Sequence, residues 1–176
     1  MIGLYYFSIF MVIGTMCAII CKYQTFRKYP LNYISLAVYT VFHTYLVGAC
    51  SAFYEKQTVM QAAVCTLAMF LALSTYAVFT KTDITYLGGF LSSASMMVFI
   101  FIIMMSFFTI NSYMYTILIF IMICLLSVWI VYDVQLIVGG NKFSELSMDD
   151  YCIGALIVYS DIITIFMYLL QLCGGN

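Results

Sequence analysis

Three ionisable side chains stand inside long apolar stretches of this 176-residue chain: His43, Asp133 and Asp161. Such groups are costly in hydrocarbon, and where they occur they mark ion pathways, proton relays or paired sites. Asp133 lies in VYDVQLIVGG, Val131 to Gly140, at the end of an uncharged run; Asp161 lies in YSDII. Two carboxyl groups in contact at low dielectric cannot easily both be ionised, so one keeps a proton or a cation sits between them. A shared proton can hold two helices together, and raising the pH or supplying a cation alters that link. The titration then belongs to the pair and not to either residue. The alternative is that each Asp separately bonds a neighbouring hydroxyl or reaches the interface, and spacing alone leaves both readings open. His43 can relay protons or join a cation site. The plainer reading is a neutral histidine hydrogen-bonded to a helix neighbour.

The elements that must position these groups follow from composition. The chain is 66% hydrophobic and 7% charged, against about a quarter charged in a soluble domain. Its net charge of -1 provides no basic field for nucleic acid. A spanning helix needs about 20 apolar residues, and breaks in the pattern delimit six such segments, approximately 2–20, 31–53, 59–79, 84–108, 113–138 and 151–173. The connections CKYQTFRKYP, YEKQ, TKTD, TINS and GGNKFSELSMDD are short. The expectation is an all-α polytopic membrane bundle, one transmembrane domain over 1–176, with the lipid bilayer as its first partner. Asp133 stands about a turn and a half from the end of the fifth segment and Asp161 about three turns into the sixth. A short loop makes these segments antiparallel neighbours, which brings the carboxyls to one depth without fixing their facing.

Positive residues set the orientation. Lys22, Arg27, Lys28, Lys81 and Lys142 lie in the odd-numbered connections and Lys56 in an even one, so the odd loops are expected on the cytosolic side. Segment 2–20 has no basic residues before it and positive charges after it, and reads as a retained anchor instead of a cleaved signal peptide. Pro30 suits a helix start. Ser147 with Asp150 fits a capping box, and Asp149 and Asp150 favour the positive end of the helix dipole. Gly48, Ala49, Ser51 and Ala52, and LSSAS at Leu91 to Ser95, suit close helix packing. Tyr54, Tyr86 and Tyr113 fit an interfacial belt. The seven cysteines show no CxxC or Cys/His spacing and read as small hydrophobes.

An enzymatic reading is the remote alternative. Two membrane aspartates, one preceded by Tyr132, are similar to the pair of an intramembrane aspartyl protease, where one carboxylate activates water and the other donates a proton. The second lies in YSDII instead of GxGD, and there is no Pro-Ala-Leu motif. One histidine and no GxxxxGK[ST] exclude a soluble-style triad and a phosphate loop. The chain is expected not to be an enzyme and to need no cofactor.

VYDVQLIVGG followed by SMDDYCIGALIVYSDIITIFMYLLQL resembles the closing signature of the transmembrane Bax-inhibitor-motif family, most closely its Lifeguard branch. PLNYISLAVYT, YLVGACSAFYEKQTV and TKTDITYLGGFL resemble that branch's earlier motifs in the same order. The resemblance implies a seven-helix fold, of which these segments are helices two to seven. It implies calcium leak from intracellular stores, placing the chain in the endoplasmic reticulum or Golgi membrane with Ca2+ as permeant ion, and protection against apoptosis. It also implies a pH-sensitive latch over the pore, made in bacterial relatives by two aspartates whose positions Asp133 and Asp161 match; a transient Ca2+ contact would fall there. Departures are the lack of a counterpart to the first helix and the cytosolic tail, His43 where some branches have Glu, and no basic latch partner. A non-conducting protein that assembles with family members or apoptosis-regulating membrane proteins is the competing expectation.

Overall fold

A computed structural model describes residues 2–26, 28–80, 82, 84–106, 112–138 and 151–175. The helices are α1 (Ile2–Cys21), α2 (Tyr23–Phe26), α3 (Leu31–Ser51), α4 (Lys56–Phe79), α5 (Gly88–Ser106), α6 (Ser112–Val138) and α7 (Tyr151–Gly174), and a 3₁₀ turn over Thr85–Leu87 leads into α5. No strand occurs among the described residues. α1, α3, α4, α6 and α7 are each long and apolar enough to cross a membrane, and the apolar part of α5, Gly88–Met104, is shorter. This is a polytopic helical membrane bundle.

Boundaries depart from the expected segments for local reasons. Pro30 stands directly before α3, as its missing N–H allows. α4 begins at Lys56 and not Val59, because Glu55 is extended and the Val59 N–H already bonds the Glu55 carbonyl at 3.0 Å. The fourth segment, expected from residue 84, becomes an α-helix only at Gly88. The Ile84 N–H is captured by Gln135 Oε1 at 2.8 Å, and the Leu87 N–H turns back to the Ile84 carbonyl at 2.9 Å. The first connection carries the short α2. Arg27, Lys81, Lys142, and the capping residues Ser147, Asp149 and Asp150 lie outside the described residues.

α7 is the central helix, in contact with α3, α4 and α6, and α4 and α6 also pack on each other. Ala62, Ala77, Ile123, Ile130, Ile165 and Leu170 fill the space between these three. A second cluster, Ile19, Tyr39 and Leu156, joins α1 and α3 to α7. α5 rests on α6 and on the 3₁₀ turn. Lipid tails are as apolar as side chains, so helices associate through close packing and interhelical hydrogen bonds instead of hydrophobic expulsion from water. Close packing falls at the expected LSSAS stretch, where Leu91 is buried, but not at Gly48. A Cβ on Gly48 would meet nothing within 4 Å, whereas one on Gly88 would come 2.9 Å from the Tyr132 hydroxyl, one on Gly154 would touch Ile137 at 3.6 Å, and one on Gly174 would overlap the Tyr54 ring. Tyr54 therefore closes a helix junction, while Tyr86 and Tyr113 are exposed as a belt requires.

Hydrogen bonds show which helix ends share a face. Asn32 Nδ2 donates to Tyr151 Oη at 3.3 Å, gathering the starts of α3 and α7. Gln135 Nε2 donates to the Thr82 carbonyl at 2.9 Å, placing the ends of α4 and α6 on that same face, called here the first. On the second face Tyr115 Oη donates to Gln171 Oε1 at 3.0 Å, joining the start of α6 to the end of α7. Gln135 thus pins the α4–α5 connection to α6 through two backbone groups. Replacing it (Gln135→Leu) leaves the Ile84 N–H and Thr82 carbonyl unpartnered, and should cost about 1–3 kcal/mol. Thermal unfolding in detergent reads this, and an unchanged midpoint would show that the clip contributes nothing.

Candidate functional site

α6 and α7 are apolar on almost every side, so their own sequences do not choose the face turned inward; packing does. Ile130 on α6 and Ile165 on α7 are both 0% exposed. Asp133 lies three residues after Ile130 and Asp161 four residues before Ile165, so each occupies the next turn on the face its isoleucine turns inward. Asp133 is 8% exposed. The antiparallel register, marked again by Gly154 against Ile137, brings the two carboxyl groups within hydrogen-bond reach of each other. The sequence placed them at one depth; the tertiary structure supplies their facing.

An ionised carboxylate only accepts hydrogen bonds, so a bond between two carboxyls requires a proton on one of them. Neither α6 nor α7 contains a lysine or arginine, and a second negative charge this close in low dielectric is strongly disfavoured. A proton shared across this contact would clamp α6 to α7. A third helix joins it through Ser160, beside Asp161: Ser160 Oγ donates to the Leu156 carbonyl at 2.8 Å and shares a hydrogen bond with Tyr39 Oη of α3 at 3.0 Å. No cluster of three or more His, Cys, Asp or Glu side chains able to hold a metal is found among the described residues. The cysteines are free: Cys152 is buried, Cys50 shares a 3.9 Å contact with Tyr5 Oη, and the others are exposed.

His43 is not brought to this pair. Its ring lies edge-to-face with Tyr39, at 5.0 Å between centroids, and with Tyr159 at 5.7 Å. Nδ1 is buried and has no hydrogen-bond partner, so the expected bond from this nitrogen to a helix neighbour is absent. The Tyr159 hydroxyl is instead bonded to Thr44 Oγ1 at 3.0 Å. His43 also borders a cavity of about 390 Å³ between α3, α5, α6 and α7.

Several structural polar groups were not singled out in the sequence. Gln135 clips the α4–α5 connection, and Trp129 Nε1 donates to Ser95 Oγ at 2.9 Å, fastening α5 to α6 at the LSSAS stretch. Both are polar groups inside apolar stretches, so the cost argument that found the aspartates applies to them as well.

The family model for inhibitor of apoptosis-promoting Bax1 matches residues 1–176. The chain belongs to this Bax-inhibitor family. Similar proteins include Protein lifeguard 3 from Mus musculus and from Homo sapiens, each 28% identical over 179 residues that cover 99% of this chain and 57% of the relative. Protein LIFEGUARD 4 from Arabidopsis thaliana is 30% identical over 157 residues, covering 85% of this chain and 60% of that protein. The chain thus spans less than two thirds of the length of these Bax-inhibitor relatives.

A proton shared between Asp133 and Asp161 would give this Bax-inhibitor chain a pH signature: the clamp would hold while the proton is bound and be lost as rising pH removes it. Thermal stability in detergent should therefore fall on going from about pH 5 to about pH 9. In Asp133→Asn/Asp161→Asn, two amides can bond each other at every pH, so the profile should be flat over this range. Asp133→Ala leaves Asp161 unpartnered and should lower stability at acid pH by about 1–3 kcal/mol. A wild-type profile as flat as that of the double variant would exclude a shared proton.

Proposed function

We propose that this integral membrane protein is an anti-apoptotic, pH-sensitive calcium leak that lowers the calcium content of an endoplasmic reticulum or Golgi store. The observation that carries the reading is the contact between Asp133 and Asp161 across α6 and α7. Membership in a family whose name states inhibition of apoptosis supports the biological outcome. With the proton bound, the two helices are held together; with it gone, two like charges separate them or admit a cation between them. Ca2+ takes six to eight oxygen ligands, and two carboxyls with waters make a passing contact, not a resident site. The first face, carrying the odd connections, is assigned to the cytosol.

Flux into liposomes loaded with a calcium dye tests this. Wild-type flux should be greater at about pH 8 than at about pH 6, and Asp133→Asn/Asp161→Asn should lose that dependence. Equal flux from both proteins at both pH values would remove the mechanism.

One further observation favours a second reading. α1 packs chiefly on α3 and α5 on α6, leaving Phe10, Ile20, Phe90 and Met97 exposed. These apolar flanks suit assembly with a family member or an apoptosis-regulating membrane protein. Co-purification of such a partner, together with no flux from the well-folded chain, would select this non-conducting role.

A further inference from the structure

The cavity beside His43 lies toward the second face, between the first turns of α6 and the last turns of α7. Its walls include Ile102 of α5, Tyr115 of α6, and Thr164, Tyr168 and Gln171 of α7. Among the described residues no Asp, Glu, Lys or Arg lines it; its titratable groups there are His43, Tyr115 and Tyr168, and the further groups facing the His43 ring are Tyr39 on its own helix and Tyr159 on α7. Its inner end reaches Thr164, three residues from Asp161, an axial distance of about 4.5 Å. The cavity and the clamp are therefore successive along α7.

The chemistry of its inner end is that of an acceptor. His43 Nδ1 is buried with no hydrogen-bond partner, and the ring borders the cavity. The neutral tautomer with its proton on Nδ1 presents Nε2 as a lone pair to the cavity. Thr164 Oγ1 donates its proton to the Ser160 carbonyl at 2.7 Å and so also offers lone pairs. Gln171 Oε1 is already occupied by the Tyr115 hydroxyl. About 390 Å³ is far more than a single water requires. Two acceptors at the inner end suit water molecules whose oxygens face a cation.

We propose that this cavity is a hydrated vestibule through which a hydrated cation approaches from the second face, and that His43 is its specificity-determining residue. Neutral imidazole accepts a hydrogen bond from the cation's water shell; imidazolium places a positive charge in the same space and excludes the cation. The vestibule rests on the cavity and the histidine alone; that the cation continues to the clamp rests on the leak reading.

The chain has one histidine, so selective 15N-histidine labelling in lipid nanodiscs reports on His43 without ambiguity. The imidazole signal should titrate with bulk pH, and should do so also in Asp133→Asn/Asp161→Asn. Mn2+, a hydrated divalent probe, should broaden the neutral signal, and the broadening should fall several-fold once the ring is protonated. In oriented liposomes, acidifying the second face should reduce wild-type flux by about tenfold or more, and His43→Gln should keep its flux. A signal that remains one neutral tautomer at every pH, untouched by Mn2+, would overturn the vestibule. A signal that follows lipid composition but not pH or Mn2+ would assign the cavity to a lipid and overturn it equally. Titration and Mn2+ broadening without any calcium flux would uphold the vestibule and refute the leak.

Discussion

Two carboxyl groups facing each other inside an apolar bundle are the costliest arrangement in it. Asp133 and Asp161 are in contact on helices that supply no cation of their own. In low dielectric one of them keeps a proton or a cation sits between them. Ser160, next to Asp161 in sequence, shares a hydrogen bond with the Tyr39 hydroxyl and so ties α3 to α7.

The rest of the bundle is held by a different balance from that of a soluble core. With hydrocarbon on both sides of each packing decision, an interhelical hydrogen bond contributes about 0.6–2 kcal/mol, and a few such bonds decide which neighbours a helix keeps. Gln135 binds the α4–α5 connection, Trp129 and Ser95 bind α5, and Tyr115 with Gln171 closes the second face. Glycines complete the approach where a side chain comes flat against a helix, at Gly88 under Tyr132 and at Gly174 under Tyr54. α1 packs extensively on α3, whereas α5 rests chiefly on α6 and the 3₁₀ turn with much less contact.

The ionisable groups of this Bax-inhibitor chain that lie inside its helices, His43, Asp133 and Asp161, stand on the central helix pair and on α3. His43 and the aspartates respond to protons in opposite senses of charge. Protonation neutralises one carboxyl and strengthens a contact, whereas protonation of the imidazole creates a charge facing a cavity. In the proposed leak, both changes would oppose cation entry at acid pH, from opposite faces of the bundle, so the two stations would reinforce each other without touching.

The sequence by itself determined the membrane class, the apolar segments and the groups that hydrocarbon makes expensive, because length, hydropathy and ionisation cost are properties of residues taken singly. It also placed Asp133 and Asp161 at one depth, since a short loop and a fixed rise per residue leave little freedom. It did not determine facing, because α6 and α7 are apolar all round and carry no periodic signal. Nor did it show that Gly48 packs against nothing while Gly174 lies under a ring, that the 3₁₀ turn delays α5 to Gly88, or that His43 Nδ1 is buried without a hydrogen-bond partner. Those outcomes belong to the tertiary structure. Each depends on which side chain of a distant helix arrives at a given depth and angle, and that is decided by packing among helices and not by any one segment's composition.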